Sequence, residues 1–314
     1  MIFVKVQAPP LDHQSVLQMH QLWLTAFGDD FVSDVPDGIL YGDEADWNTT
    51  NIYRHMDDNQ TIATAIVIRS LAIPSLGGLG EVATHPQYRG KGLATGICQR
   101  LLEDFLNSEG SALFLGTVNP DAARIYERLG WRHIYGTGLM VNMSGSDLYD
   151  DFIRKYFSSA IPSTICKAKA SARIPIIPLV IFPHNWTMLD SNISLYSTNA
   201  QTQQSCLGLY RRYDYLRSDY QGEWFTLLSE DGKVLGISSA VHKGEKKYQV
   251  DGFCHPEHEK SFAQLVQTAV NWCDSRDASE IIFNVKKEDT HKETLIRNMV
   301  RAGNLDKLMK VVSD

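Results

Sequence analysis

Glu81-Val82-Ala83-Thr84-His85-Pro86-Gln87-Tyr88-Arg89-Gly90-Lys91-Gly92-Leu93-Ala94-Thr95 is the stretch on which the reading of this chain turns. A short apolar strand ends, His85-Pro86 turns the backbone, and a helix opens on two glycines. Free amides at a helix N-terminus bind anions through hydrogen bonds and the helix dipole. Gly90 and Gly92 carry no side chain that would hold a phosphate away, and Arg89 and Lys91 add positive charge. Two familiar phosphate loops are excluded by inspection. A P-loop needs Ser or Thr after Gly-Lys, where Gly92 stands, and a dinucleotide fingerprint starting at Gly90 needs Gly or Ala at Thr95. A purely structural turn leaves the basic residues unexplained.

The flanking segments alternate between strand and helix patterns. Met1 to Gln7 and the β-branched run Thr61 to Ser70 read as strands, as do Leu79–Thr84, Ala112–Val118 and Gly138–Asn142. Val16 to Phe27 has helical apolar spacing. From Gly90 to Asn107 a stripe of Leu93, Ile97, Leu101 and Phe105 recurs every four residues. Asn119 to Leu129 is a punctuated helix, with Asn119 as cap, Pro120 in the first turn, Asp121 suited to the dipole and Gly130 as stop.

Residues 146–173 read as a connector opening on a helix around Leu148–Phe157. The remainder predicts strands at Ile174–Phe182, Trp224–Leu228, Val234–Val241, Tyr248–Phe253 and Glu280–Val285, with helices at Cys206–Arg217, Phe262–Asp274 and Lys292–Arg301. His255-Pro256 is followed by the same series of elements as His85-Pro86, at an offset of 170 residues. That order of elements reads as a duplicated domain. In the second copy Glu257-His258-Glu259-Lys260-Ser261 replaces the glycines with acids, and the region around Thr294 has no tyrosine.

The 314 residues are 43% hydrophobic, enough for two cores without disulfides or metal. A net charge of −7 argues against nucleic acid, whose phosphates require a basic face. Five scattered cysteines with no C-x-x-C pair fit a reducing compartment and no zinc site. The longest apolar stretch is too short for a bilayer and the N-terminus lacks a signal-peptide pattern, so a cytoplasmic protein with no membrane partner is expected. Between Lys5 and Arg54 there is no Lys or Arg, but there are eight acids: Asp12, Asp29, Asp30, Asp34, Asp37, Asp43, Glu44 and Asp46. This window is either a solvated surface or a rim that attracts a cationic substrate.

The opening stretch resembles the acyl-CoA-binding motif of the GCN5-related N-acetyltransferase (GNAT) superfamily, Q/R-x-x-G-x-G/A, and fits it in two frames, from Gln87 to Gly92 and from Arg89 to Ala94. The block from Asn119 to Trp131 resembles the family's second signature through Asn119, Tyr126, Glu127 and Gly130. The resemblance is firm over residues 60–142 and looser over 1–59. It implies that Val82, Ala83 and Thr84 form a strand edge for pantetheine amides, that the amides of Arg89, Gly90, Lys91, Gly92, Leu93, Ala94 and Thr95 hold the pyrophosphate, and that Asn119 lies beside the pantetheine arm. It further implies that Tyr126 protonates the leaving thiolate. The base is open. Positions where the family often places an acid hold Gly78 and Gly116. Glu81 is the nearest carboxylate, His85 and His133 are alternatives, and a water chain would also serve.

The expectation is an α/β (α+β) protein of two GNAT-like domains, each a mixed, mostly antiparallel sheet flanked by helices. Residues 1–145 form the acetyltransferase domain, 146–173 the connector and 174–314 a degenerate copy. The expected activity is transfer of an acetyl group from acetyl-CoA, without a metal, to an amine of a small molecule or peptide, with acids of residues 29–46 at the acceptor mouth. The alternative is a non-catalytic acyl-CoA sensor. A monomer or a homodimer fits equally.

Overall fold

A computed structural model describes residues 3–145, 148–302 and 309–313. The chain divides into two compact units, one of Met1–Tyr149 with Gln204–Gly208, the other of Asp150–Gln203 with Leu209–Asp314. Each has a mixed, mostly antiparallel sheet with helices, the class expected from the sequence.

The elements of the first unit are β1 (Phe3–Gln7), α1 (His13–Phe27), α2 (Asp37–Tyr41), β2 (Asn48–Asp57), β3 (Gln60–Ser70), β4 (Leu76–Thr84), α3 (Leu93–Asn107), β5 (Ala112–Gly116), α4 (Pro120–Arg128), β6 (Arg132–His133) and β7 (Leu139–Met143). They form a seven-stranded sheet in the order β1-β2-β3-β4-β5-β7-β6, in which β4 and β5 are the parallel pair. Met1 and Ile2 of the expected first strand lie outside the described residues, as do Ser146 and Asp147 of the expected connector.

Side-chain alternation in β3 sorts the two main helices onto opposite faces. Ala63, Ala65 and Val67 pack with the α3 stripe Ile97, Leu101 and Phe105. Thr64, between them, points the other way and accepts a hydrogen bond from the Trp23 indole N–H of α1 at 2.9 Å. Strand β2 is absent from the expectations, because Arg54 and His55 interrupt its apolar pattern. Arg54 is nevertheless buried, with its guanidinium donating to Gln7 and to Thr61.

The second unit contains most of α5 (Tyr149–Ser158), then β8 (Pro162–Lys167), α6 (Ile176–Ile181), β9 (Met188–Asp190), β10 (Leu195–Tyr196), α7 (Gly208–Ser218), β11 (Glu223–Ser229), β12 (Val234–His242), β13 (Lys247–Cys254), α8 (Phe262–Asp274), β14 (Glu280–Val285), α9 (Thr290–Ala302) and β15 (Met309–Ser313). Its six-stranded sheet runs β15-β14-β13-β12-β11-β8. Strand β8 lies in residues expected to be a connector. Ile174–Phe182, expected as a strand, is instead the helix α6, all of it buried. A continuous apolar run carries no period that separates the two, and Pro178 is in the first turn, where no intrahelical N–H is needed.

In both sheets one parallel pair forks. Strands β4 and β5 pair only from Leu76↔Ala112 to Leu79↔Leu115, and β13 and β14 only from Lys247↔Glu280 to Gln249↔Ile282. Each fork is followed by a His-Pro turn in which the histidine Nδ1 accepts the amide two residues on, at 3.3 Å in both cases. Among the described residues no helix is long and apolar enough to cross a membrane, and all five cysteines are free.

Candidate active site

The fork of the first unit begins with a β-bulge. Ile66 faces Gly80 and Thr64 faces Ala83, so Glu81 and Val82 together oppose the single residue Ala65. A bulge re-aims a side chain and sharpens the local twist. Here Glu81 takes a left-handed φ of +52°, and its carbonyl accepts the Thr64 hydroxyl at 2.7 Å. The carboxylate turns inward and is 8% exposed. Its Oε1 accepts from the Ser33 hydroxyl at 2.6 Å and from the Val35 amide at 3.3 Å. Burial pushes its pKa above the ordinary carboxylate range, against the lowering effect of the Ser33 bond.

Beyond the bulge, Ala83 and Thr84 pair with β3, and neither they nor Val82 has a partner in β5, whose pairing stops at Leu79. This leaves a strand edge suited to an extended amide-bearing chain. The buried Thr84 Oγ1 has no hydrogen-bond partner among the described residues. The chain then reaches Gly90 and Gly92, at φ of +75° and +77°, and enters α3 with Gly92 as its N-cap and no side chain capping it. The first-turn amides of Leu93, Ala94 and Thr95 therefore have no capping side chain as acceptor. A Cβ at Gly90 or Gly92 would meet nothing within 4 Å, so the left-handed backbone, rather than lack of space, requires glycine there. Arg89 donates to the carbonyls of Thr84 and Ala26, and the Lys91 ammonium lies 4.6 Å from the Tyr88 ring centre.

Helix α4 supplies the other wall. Asn119 Oδ1 accepts the amides of Asp121 and Ala122 at 2.9 and 3.4 Å, the N-cap that its sequence position suggests. Tyr126 is 6% exposed. Its ring belongs to the core, 5.9 Å from the Trp131 ring, whose N–H is fixed on the Leu113 carbonyl. Among the described residues none hydrogen-bonds its hydroxyl. Burial raises its pKa, so the phenol holds its proton firmly.

A cavity of about 450 Å³ joins the bulge, the end of β5 and α4; no residue from Ala83 to Thr95 lines it. Glu81 and Val82 line it from the bulge, Gly116, Thr117 and Asn119 from the end of β5, Ala122 and Tyr126 from α4, and Phe27, Phe31 and Asp34 from the end of α1 and the segment after it. Gln204, Ser205, Cys206 and Leu207 close one side. Neither His85 nor His133 is among the lining residues. His85 is occupied in its turn, and His133 pairs with Glu127 at the surface, 3.3 Å away.

The expected acidic rim needs correction. Of the acids in residues 29–46, Asp34 alone lines this cavity. Asp37 pairs with His20, Glu44 accepts from Asn48 beside a different pocket, and Asp43 packs against Gly38. The segment 204–208 has no place in the sequence-based expectation of the site. Its trace in the sequence is a pair of glycines at the fork, Gly80 and Gly116. A Cβ on Gly116 would come within 2.4 Å of the Gln204 carbonyl oxygen, and one on Gly80 within 2.6 Å of Leu207 Cδ1. Glycine within a strand marks such a close approach.

The free strand edge, the uncapped α3 N-terminus and the two left-handed glycines fit an extended, phosphorylated thioester donor such as an acyl-CoA. Among the described residues no group of three or more His, Cys, Asp or Glu side chains is placed to hold a metal ion.

Residues 49–133 match the family model described as an acetyltransferase (GNAT) domain. Among solved structures, the chain is similar to the ribosomal-protein-S18-alanine N-acetyltransferase from Escherichia coli at 16% identity, with 47% of this chain and 99% of that one covered and a TM-score of 0.35. It is also similar to an acyl-CoA N-acyltransferase from Pseudomonas aeruginosa at 17% identity, covering 45% and 99%, with a TM-score of 0.38. A third is the N-acetylglutamate synthase from Neisseria gonorrhoeae complexed with coenzyme A and L-arginine, at 12% identity, covering 45% and 33%, with a TM-score of 0.35. No curated protein matches the chain.

Proposed function

We propose, for a chain that carries an acetyltransferase (GNAT) domain, that it moves an acetyl group from acetyl-CoA to an amine by direct attack. The observation that carries this reading is the cavity at the fork, which a buried carboxylate, Glu81, and a buried phenol, Tyr126, both line. The amides of the glycine turn and the α3 entry, from Arg89 to Thr95, hold the pyrophosphate, and the edge Val82–Thr84 pairs with the pantetheine amides.

Glu81 accepts the proton that the amine must lose before or as it attacks the thioester carbon. Its raised pKa suits a base working nearer neutrality. The Val82 amide faces the oxyanion that forms on the carbonyl oxygen. Tyr126 gives its proton to the departing thiolate as the carbon–sulfur bond breaks, and solvent restores both groups. No covalent enzyme intermediate is required.

The second unit is read as a degenerate copy. Asp251 stands 170 residues after Glu81, but β12 and β13 pair without a register shift, so the bulge is missing. Lys292 from α9 reaches across the fork to Asp251 Oδ1 at 2.6 Å and donates to the carbonyls of Met188 and Leu189. The opening is thereby occupied by the chain itself.

The test is acetyl-CoA with a diverse amine library, followed by thiol release and mass detection of product. Release coupled to an acetylated product supports the reading. Tight binding without release from any acceptor contradicts it and identifies a sensor instead.

A further inference from the structure

Segment Gln204–Gly208 departs from chain that otherwise belongs to the second unit and packs with the first. We propose that it is the acceptor-selecting wall of the cavity, and that with Asp34 it restricts the acceptor to a small primary amine with an apolar body. This rests on the acetyltransfer reading above and adds to it the class of acceptor.

The segment forms a strap at the fork. Gly80 is the first residue of β4 past its last pair with β5, and Gly116 follows Leu115 of that pair. The strap touches both, Leu207 at Gly80 and the Gln204–Ser205 backbone at Gly116. It therefore bridges the two strands where they part. Ser205 fixes it there. Its hydroxyl donates to Asp34 Oδ2 and accepts the Gly208 amide at 3.0 Å. Cys206 and Leu207 are buried, at 2% exposure each.

The chemistry of the lining then selects the guest. Asp34 and Glu81 are its charged residues, with no Lys, Arg or His beside them. Among the described residues no cation pairs with either acid. An ammonium group is favoured at this end, while a carboxylate or phosphate on the acceptor would meet two acids and no cation in a partly desolvated space. Phe27, Phe31, Leu79 and Leu207 give the remaining wall an apolar face, beside the polar Thr117, Asn119, Gln204 and Ser205. At about 450 Å³, shared with the thioester end of the donor, the cavity is at the small end of ligand sites. The strap, lying against Gly80 and Gly116, narrows the fork on its own side.

The experiment uses the full chain at saturating acetyl-CoA, with thiol release recorded for 2-phenylethylamine, hexylamine, spermidine, glutamate and a decapeptide with uncharged side chains and a free amino terminus. The first two are expected to give kcat/KM about tenfold or more above the others. Asp34→Asn should raise their KM about five- to tenfold while the acetyl-CoA Kd stays unchanged. Leu207→Ala should shift preference toward a bulkier arylalkylamine such as 4-phenylbutylamine, and Ser205→Ala should do so more weakly if Leu207→Ala does not fold. Preference for glutamate, spermidine or the decapeptide overturns the inference alone, as does an unchanged ranking in both strap variants. No release with any acceptor overturns the acetyltransfer reading, and this inference with it.

Discussion

Glu81 and Tyr126 are both buried, and burial acts on them in complementary ways. It raises the pKa of each, which brings a carboxylic acid toward neutrality as a base and keeps a phenol protonated as an acid. For Glu81 the protonated form is favoured in the fold. Its contribution to stability is present below the ordinary carboxylate range and is lost as pH rises through the higher folded value. Base function has the opposite sign and develops across that same rise. The acidic limb of kcat/KM is therefore expected above the ordinary carboxylate range, and Glu81→Gln should remove it while lowering turnover about 10²-fold. A pH–rate profile of the two proteins checks this. Tyr126→Phe should lower kcat by about 10²-fold or more, because the proposed proton donor would act on a charge present only in the transition state. Its acetyl-CoA Kd, measured by titration, should change little.

At the scale of elements, acid position matters more than acid number. Asp43, Glu44 and Asp46 lie away from the cavity, so converting all three to Asn/Gln should leave the acceptor KM within about twofold, as expected for solvated, screened charges. Steady-state kinetics near physiological ionic strength is the check. In the second unit, Lys292 and Asp251 are 0% and 1% exposed. Lys292→Ala leaves a buried carboxylate unpaired and should cost about 3–5 kcal/mol in denaturant unfolding. Elements with a clear period, such as α3 and β3, and the cap and stop of α4 are legible in the sequence. The glycine turn is legible too, because left-handed φ and helix entry are local properties. Three features are not. Strand β2 hides behind a buried arginine, α6 is an aperiodic apolar run, and the strap joins residues distant in sequence. Only Gly80 and Gly116 hint at the last, and a glycine records that something approaches without recording what.

At the scale of the whole molecule, two sheets fork in the same way but are not chemically equivalent. The first fork has a bulge, a free strand edge and a helix N-terminus with glycines and no capping side chain. The second has an unbroken ladder, Glu257 and Glu259 at the matching turn, and a lysine drawn across the opening. On the proposed function the first fork alone holds the acyl donor. Calorimetric titration of the full chain with acetyl-CoA tests it most directly, run beside Gly92→Glu, which places a strained, negatively charged residue at φ +77° in the phosphate turn. One acetyl-CoA per chain is expected, with binding lost in the variant; a stoichiometry near two, or tight binding that survives Gly92→Glu, would contradict this assignment.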